Sequence, residues 1–365
     1  MTGPLYSAHA TIKHLGTTLD FLDRAGQWFL QSGIQEPSGG VARYFRAEAG
    51  VNLPVSSEIT GYAASALAYL HERSGKQEYL DAATRCADFL TGPAWDAASH
   101  TYPFEPGSDR AYFFDTGIIA RGLMAVARRT GNAAYQQRAQ DAAMSLGFDF
   151  LGDSVFYPVI SLPEKEPLPE EPRWSRKPGC FQLKSALIWR EVGDEHADRM
   201  FHVALAMALA SHETFLDDPD QERVMDRLHA YCYFLEALLA ATDHPEVRAA
   251  LAWGIARAGA LLRRIAPVFE RSDVNAQLLR VRLIAHHTGI VPLDEAAAAE
   301  EAARAASFQA VSPRTQLDGG FWFGRKGPSM LPFSNPVSTA FCMQALALWD
   351  DHKQGRWNFA LAQLI

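Results

Sequence analysis

Three glycine pairs punctuate residues 61–193 of the chain: Gly61 and Gly75, Gly117 and Gly131, Gly179 and Gly193, each pair 14 residues apart. The best-preserved copies read Thr60-Gly61-Tyr62…Arg73-Ser74-Gly75…Tyr79…Ala83…Ala87…Leu90 and Thr116-Gly117-Ile118…Arg129-Thr130-Gly131…Tyr135…Ala139…Ala143…Leu146, related by a constant shift of 56 residues. Each pair brackets one helix-length segment, so the pattern is a helical hairpin written more than once. A period in this range signals a stacked or closed array of helix pairs.

The register continues if glycine is relaxed to other turn and cap formers, because a helix end needs only a residue that leaves helical geometry at low cost. Asn275 and Gly289 keep the spacing, Asp226-Arg227-Leu228-His229 opens a further helix that stops at Asp243-His244-Pro245, and Ser334-Asn335-Pro336 opens the last one. Six first helices are therefore expected to start near 58, 115, 179, 228, 274 and 335. Five partners are expected at 77–90, 133–147, 196–215, 246–265 and 293–308. The sixth partner is the segment from Thr11 to about Gln31, and it completes the array only if the two chain ends meet. The expected fold is all-α, an (α/α)6 toroid of six inner and six outer helices, with short strands or aromatic loops over one end and residues 1–365 forming a single domain.

With 365 residues and 48 % apolar content, the chain can bury a large core, and no linker-like stretch divides it. Its formal net charge is −8 with dispersed basic residues, which excludes a nucleic-acid footprint. Cys86, Cys180, Cys232 and Cys342 lack paired spacing, so no disulfide framework is implied. Neither a leader-like N-terminus nor an apolar run long enough for a membrane is present. A cytoplasmic protein without cofactor or metal is the expectation, and oligomeric state is left open.

Long connections rich in glycine and aromatics are expected to fold over one end of the ring: Gly39-Gly40-Val41-Ala42-Arg43-Tyr44-Phe45, Tyr102-Pro103-Phe104, Val155-Phe156-Tyr157-Pro158 and Gly319-Gly320-Phe321-Trp322-Phe323. Such connections on a helical scaffold are where clefts are built. The longest, from Pro158 to Pro178, carries several prolines and four glutamates and reads either as a solvated excursion or as a lid.

Equivalent ends of a closed helical ring converge, so chemistry is sought at the starts of the inner helices. Glu58, Asp115, Arg176, Lys177, Asp226, Arg227 and Asp273 stand just before the register positions, and Tyr62, Gln182, His229, Tyr231, Asn275, Gln277 and Asn335 at or after them. Capping is an alternative account of Asp226 and Asp273, since such residues satisfy orphan amides and suit the helix dipole. Glutamate is a poor cap, which singles out Glu58. Tyr62 and Tyr231 read equally as core aromatics, and His229 as a hydrogen-bonded structural residue. Arg176 and Lys177 beside Trp174 can hold a carboxylate and a sugar face together. His286-His287 lies at the far end of its helix and is given no catalytic role.

The segment 39–45, followed by Ser57-Glu58-Ile59-Thr60-Gly61-Tyr62, resembles the opening of toroid proteins related to the D-glucuronyl C5-epimerase catalytic domain. The stretch 319–323, followed by Asn335-Pro336, is similar to the closing hairpin of the same proteins. More broadly the chain resembles the six-hairpin glycosidase superfamily, whose toroids serve glycoside hydrolases, polysaccharide lyases and sugar epimerases. The resemblance implies a glutamate and tyrosines near the toroid mouth, matched by motif at Glu58 and Tyr62. The asparagine is followed here by proline where the family has tryptophan.

Three functions remain open. The first is a carbohydrate-active enzyme acting on an acidic oligosaccharide or polysaccharide that contains uronic acid, by C5 epimerisation, β-elimination or hydrolysis. Tyr62, Tyr231 and His229 would exchange a proton, with Arg176 or Lys177 on the carboxylate. Hydrolysis would draw on two carboxyl groups from Glu58, Asp115 and Asp273. Trp174, Asp273, Asn275, Trp322 and Asn335 would hold the sugar. The second is a toroid of the terpene-cyclase or prenyltransferase kind, for which Asp217-Asp218-Pro219-Asp220 is the only dense acidic run, expected to lie away from the mouth. The third is a non-catalytic sugar-binding scaffold.

Overall fold

The computed structural model describes residues 18–365, and in it twelve α-helices alternate between two concentric rings. The inner helices are α2 (Ser57–Ser74), α4 (Phe113–Thr130), α6 (Leu183–Val192), α8 (Gln221–Leu238), α10 (Ser272–His287) and α12 (Pro336–Lys353); the outer ones are α3 (Gln77–Thr91), α5 (Ala133–Asp149), α7 (Glu195–Ser211), α9 (Pro245–Ile265), α11 (Glu295–Ala306) and α1 (Thr18–Gln31). Each inner helix packs on the next, and α12 packs back on α2, so the ring is closed. Helix α1 lies against α12 and α3 as the sixth outer member. Trp28 is buried there, donating its indole N–H to the Gln316 carbonyl at 2.9 Å, and Phe21 packs against the core. The expected stretch before Thr18 lies outside the described residues.

The two members of each glycine pair exist for different reasons. Gly75, Gly131 and Gly193 end α2, α4 and α6 in the left-handed region, at φ 68°, 68° and 75°, where a Cβ is disfavoured. Gly61 and Gly117 sit at inner-ring crossings. A Cβ on Gly117 would stand 2.3 Å from that of Ser185, and one on Gly61 would stand 2.9 Å from the Ile119 Cα. In α2 and α4 the 14-residue spacing therefore records a contact at one end of the helix and a cap at the other.

Two helix starts differ from the sequence reading. Helix α8 begins at Gln221, because the Asp220 carboxylate accepts from the Glu222 and Arg223 amides at 2.9 and 3.2 Å, so Asp226 lies inside the helix and caps nothing. Gly179 opens a 3-10 turn, Cys180–Gln182, that feeds α6. Gln182 is spent on that turn, accepting from the Gly179 amide and donating to the Phe156 carbonyl. All four cysteines are free and buried.

Short antiparallel strands lead into the inner helices and cover their N-terminal ends. Arg110–Tyr112 pairs with Val159–Ser161 and runs into α4, while Phe269–Arg271 pairs with Gly324–Lys326 and runs into α10. Phe45–Arg46 pairs with both Val51–Asn52 and Phe333–Ser334, so the early loop and the late hairpin meet where the ring closes. None of the described helices is long and apolar enough to cross a membrane.

Candidate active site

A cavity of about 580 Å³ opens where the inner N-termini converge. Glu58 (α2), Asp115 (α4), His229 (α8), Asp273 (α10) and Asn335, at the start of α12, all line it. In a six-membered ring α2 faces α8 and α4 faces α10, which sets Glu58 opposite His229 and Asp115 opposite Asp273.

Glu58 caps nothing, since Ser56 provides the side-chain cap of α2. Its carboxyl is desolvated, and burial, only partly opposed by Arg43, pushes its pKa up to about 7. Asp115 is raised well above its ordinary range, by burial first and then by the negative charge of Glu58. The two acids form a pair that holds a proton near neutral pH, as like charges in one desolvated site must.

The opposite wall has the reverse character. His229 Nδ1 lies 2.9 Å from Gln277 Oε1 and 3.4 Å from Asp273 Oδ2. A carboxylate can only accept, so Nδ1 carries the proton and Nε2 is the basic nitrogen. Nε2 makes no hydrogen bond among the described residues and reaches the cavity. Burial depresses the His229 pKa to about 4, against the pull of Asp273, so the ring is neutral. Asp273 stays ionised because Arg271 grips it with Nε to Oδ1 at 3.0 Å and Nη2 to Oδ2 at 2.7 Å, outweighing its burial. The third Arg271 nitrogen reaches Asp226 at 3.0 Å, and its plane lies 4.5 Å above Phe323.

Aromatic rings make the floor. Tyr233 packs edge-on to His229 with centroids 4.5 Å apart and stacks on Tyr62 at 6.4 Å, with Phe341 beneath. Burial raises the pKa of both phenols, so they stay protonated and can donate but not act as bases. The rim carries Arg43, Arg173, Arg223, Arg227 and Arg271 against Glu58, Asp115, Asp226 and Asp273. Arg173 is the one of these arginines without an ion pair among the described residues. Most of these arginines are held: Arg43 by Glu105 and over Phe104, and Arg223 and Arg227 together by Asp218. Asp218 thus supports the mouth, which corrects the expectation that the acidic run lies away from it.

Several sequence candidates do not line the cavity. Tyr231 follows His229 by two residues, a turn of about 200° on a helix; it faces outward, is fully buried and meets His212 Nδ1 at 3.2 Å. Asn275 stands in the same relation to Asp273, and its amide donates to Glu270 and to the Arg271 carbonyl. Tyr62 lies below the floor, 2 % exposed, with its hydroxyl unpaired. Arg176 is behind the wall, bonded to the Tyr112 hydroxyl at 2.7 Å and to Glu171, and Lys177 is exposed outside. From the 158–178 excursion it is Pro172, Arg173, Trp174 and Ser175 that line the mouth. Trp322 yields its place to its neighbour Phe323, because adjacent residues of an extended chain face opposite ways. Asn335 serves as the α12 cap, accepting from the Val337 and Ser338 amides at 2.8 and 3.2 Å.

Tyr233, Arg271, Arg43 and Tyr112 were not singled out from sequence. Tyr233 was within reach, lying four residues after His229 and so on its face of the helix. Among the described residues, no group of three or more His, Cys, Asp or Glu is placed to hold a metal ion.

A closed ring of six inner and six outer helices with a polar, aromatic-floored mouth defines an (α/α)6 toroid. The chain is similar in structure to cellobiose 2-epimerase from Spirochaeta thermophila, with a TM-score of 0.70 and 13 % identity over 92 % of this chain and 97 % of that one. It is also similar to D-mannose isomerase, at 0.67 and 9 % over 94 % and 100 %, and to an unsaturated glucuronyl hydrolase specific for heparin, at 0.64 and 12 % over 92 % and 98 %. Neither a family model nor a curated protein sequence matches it. The narrower likeness to the glucuronyl C5-epimerase domain stays with the two sequence motifs.

Proposed function

We propose that the protein is a carbohydrate-active enzyme that moves a proton between the two faces of an acidic sugar, a C5 epimerase of uronic-acid-containing glycans. One observation carries this: a neutral imidazole with an open Nε2 stands across the cavity from a carboxyl pair that holds a proton. Inversion at carbon needs a base on one side and an acid on the other. His229 Nε2 takes the C5 proton; the electron pair moves onto the sugar carboxylate, where rim arginines stabilise the added charge. The Glu58–Asp115 pair returns a proton from the opposite side, and exchange with solvent restores both groups. Loss of the C4 substituent from the same intermediate would give β-elimination instead. Arg173, the one rim arginine without an ion pair among the described residues, supports an anionic substrate, and Phe104, Trp174 and Phe323 offer faces for sugar rings. The similar folds of a sugar epimerase, a sugar isomerase and a glucuronyl hydrolase support a glycan as substrate.

Hydrolysis is the second reading, favoured by the adjacency of Glu58 and Asp115. It is weakened by the engagement of the facing Asp273 with Arg271, which leaves no free carboxylate across the bond. The cyclase reading loses its motif, since Asp217 pairs with Arg257 and Asp218 with Arg223 and Arg227. The test is incubation with uronic-acid oligosaccharides in deuterated water, following C5 deuterium, unsaturated-product absorbance and reducing ends separately. Deuterium at C5 without the other two signals is expected, with a loss of a hundredfold or more in His229→Gln and Glu58→Gln. New reducing ends alone would establish the hydrolase, and silence in all three with no binding would leave a scaffold.

A further inference from the structure

A second set of charged groups, unused by the mouth, lies deeper along the ring axis. Arg121 follows Asp115 by six residues, Glu236 follows His229 by seven, Arg280 follows Asp273 by seven and Gln344 follows Asn335 by nine. At the helical rise this sets them roughly 9–14 Å toward the rear of the ring. Lys184 joins them from α6. All five are buried, and Lys184, Glu236, Arg280 and Gln344 expose nothing.

Buried charges must be paired and hydrogen-bonded. Glu236 meets Lys184 at 2.8 Å and also pairs with Arg280, yet both cations have donors left over. Those donors go to the main chain of the last residues: Lys184 Nζ lies 2.9 Å from the Ile365 oxygen and Arg280 Nη1 3.4 Å from it. Arg121 donates to the Leu364 carbonyl at 2.8 Å, Gln344 to that of Gln363 at 2.7 Å, and Arg128 to that of Ala362 at 2.9 Å. Gln344 also accepts from the Ile365 amide at 3.2 Å. Side chains of four inner helices thus hold four consecutive residues by backbone alone, while the side chains of Leu364 and Ile365 are the only ones of the segment 354–365 to be buried. Main-chain bonds for affinity and pockets for two side chains are a means by which peptide segments are recognised; here Leu361–Gln363 is coiled into a 3-10 turn that delivers Leu364 and Ile365. A residual cavity of about 110 Å³ flanks the segment, and the buried hydroxyl of Tyr69, one of its lining residues, has no hydrogen-bond partner.

We infer that the rear of the toroid is a binding site for a short peptide segment bearing two adjacent aliphatic residues, a site that residues 361–365 of this chain, with Leu361–Gln363 in a 3-10 turn, occupy in cis. The segment reaches it through exposed residues 353–356, and Trp357 is anchored by stacking on His287 at 3.8 Å. The site adjoins the floor of the mouth, because Arg280 lies 4.1 Å over Phe341, whose ring packs on Tyr62 and His229.

The experiment uses the full chain with a protease site inserted between Gly355 and Arg356. After cleavage the released segment is expected to stay bound on size-exclusion chromatography and to exchange with a fluorescein-labelled synthetic peptide of residues 357–365. A peptide carrying Leu364→Asp is expected to bind at least tenfold more weakly, a comparison that leaves the protein unaltered. Three outcomes would each overturn the inference: cleaved protein that loses the segment and captures no peptide, protein that retains it but exchanges none over days, and protein that unfolds on cleavage, which would make the segment part of the core.

Discussion

Glu58 and His229 carry pKa values displaced in opposite directions, and each displacement is testable. If catalysis needs His229 neutral and the carboxyl pair protonated, activity should rise as pH passes upward through about 4 and fall as it passes through about 7. An ordinary histidine base would place the acid limb near 6.5 instead, so a kcat/KM profile on the glycan distinguishes the two. The same shifts bear on stability. The Glu58 pKa is raised on folding, so the folded state binds a proton more tightly than the unfolded one; that stability is complete below the unfolded value near 4.5 and is lost as pH rises through 7. Glu58→Gln removes this loss, and roughly 1–3 kcal/mol of stabilisation relative to wild type is expected at pH 8, with little difference at pH 4. Denaturant titrations at the two pH values check it. Equal ΔΔG at both would mean that the carboxyl is not desolvated. A variant that gains stability while losing turnover is the signature of a polar group kept for chemistry.

At the scale of the element, the glycine pairs separate packing from capping. Gly117→Ala forces a Cβ into the backbone and side chain of Ser185, with neither able to withdraw, and a cost of about 3 kcal/mol or more is expected. Gly131→Ala meets no atom within 4 Å and bears only the left-handed φ of 68°, which costs about 1 kcal/mol. Thermal unfolding of the two variants should rank them in that order. Equal costs would show that the crossing of α4 with α6 relaxes. The two helix starts that differ from the register have separate causes: α8 is extended toward the mouth by Asp220, a cap placed six residues earlier than the register implied, and α6 is shortened by the 3-10 turn Cys180–Gln182. A spacing rule finds the repeat but not an insertion at one of its ends.

For the whole molecule, closure is the central fact. Inner helices α12 and α2 come from opposite ends of the sequence, and α1 covers their seam with Trp28 and Phe29 buried. A chain lacking residues 1–35 would expose that apolar seam, and loss of the single cooperative unfolding transition is expected by calorimetry. Trp28→Ala in the full chain should cost about 3–5 kcal/mol. Retention of a wild-type Tm by either variant would show that the ring holds without its sixth outer helix.

The periodicity of the sequence was sufficient to specify the toroid, because helix ends and inner-ring crossings need particular residues at a fixed spacing, kept as glycine in the first copies and as other turn and cap formers in the later ones. It also located the mouth, since equivalent helix ends must converge in a closed ring. The side of each helix that faces the cavity was decided by tertiary structure. Glu58, Asp115, His229 and Asp273 point inward, whereas Tyr231 and Asn275, two residues further on, are turned to the outer ring by 200° of helical twist. The protonation states that give the site its character were likewise invisible in one dimension: they follow from desolvation and from neighbours such as Arg271 and Asp115, which only the closed ring brings beside His229 and Glu58.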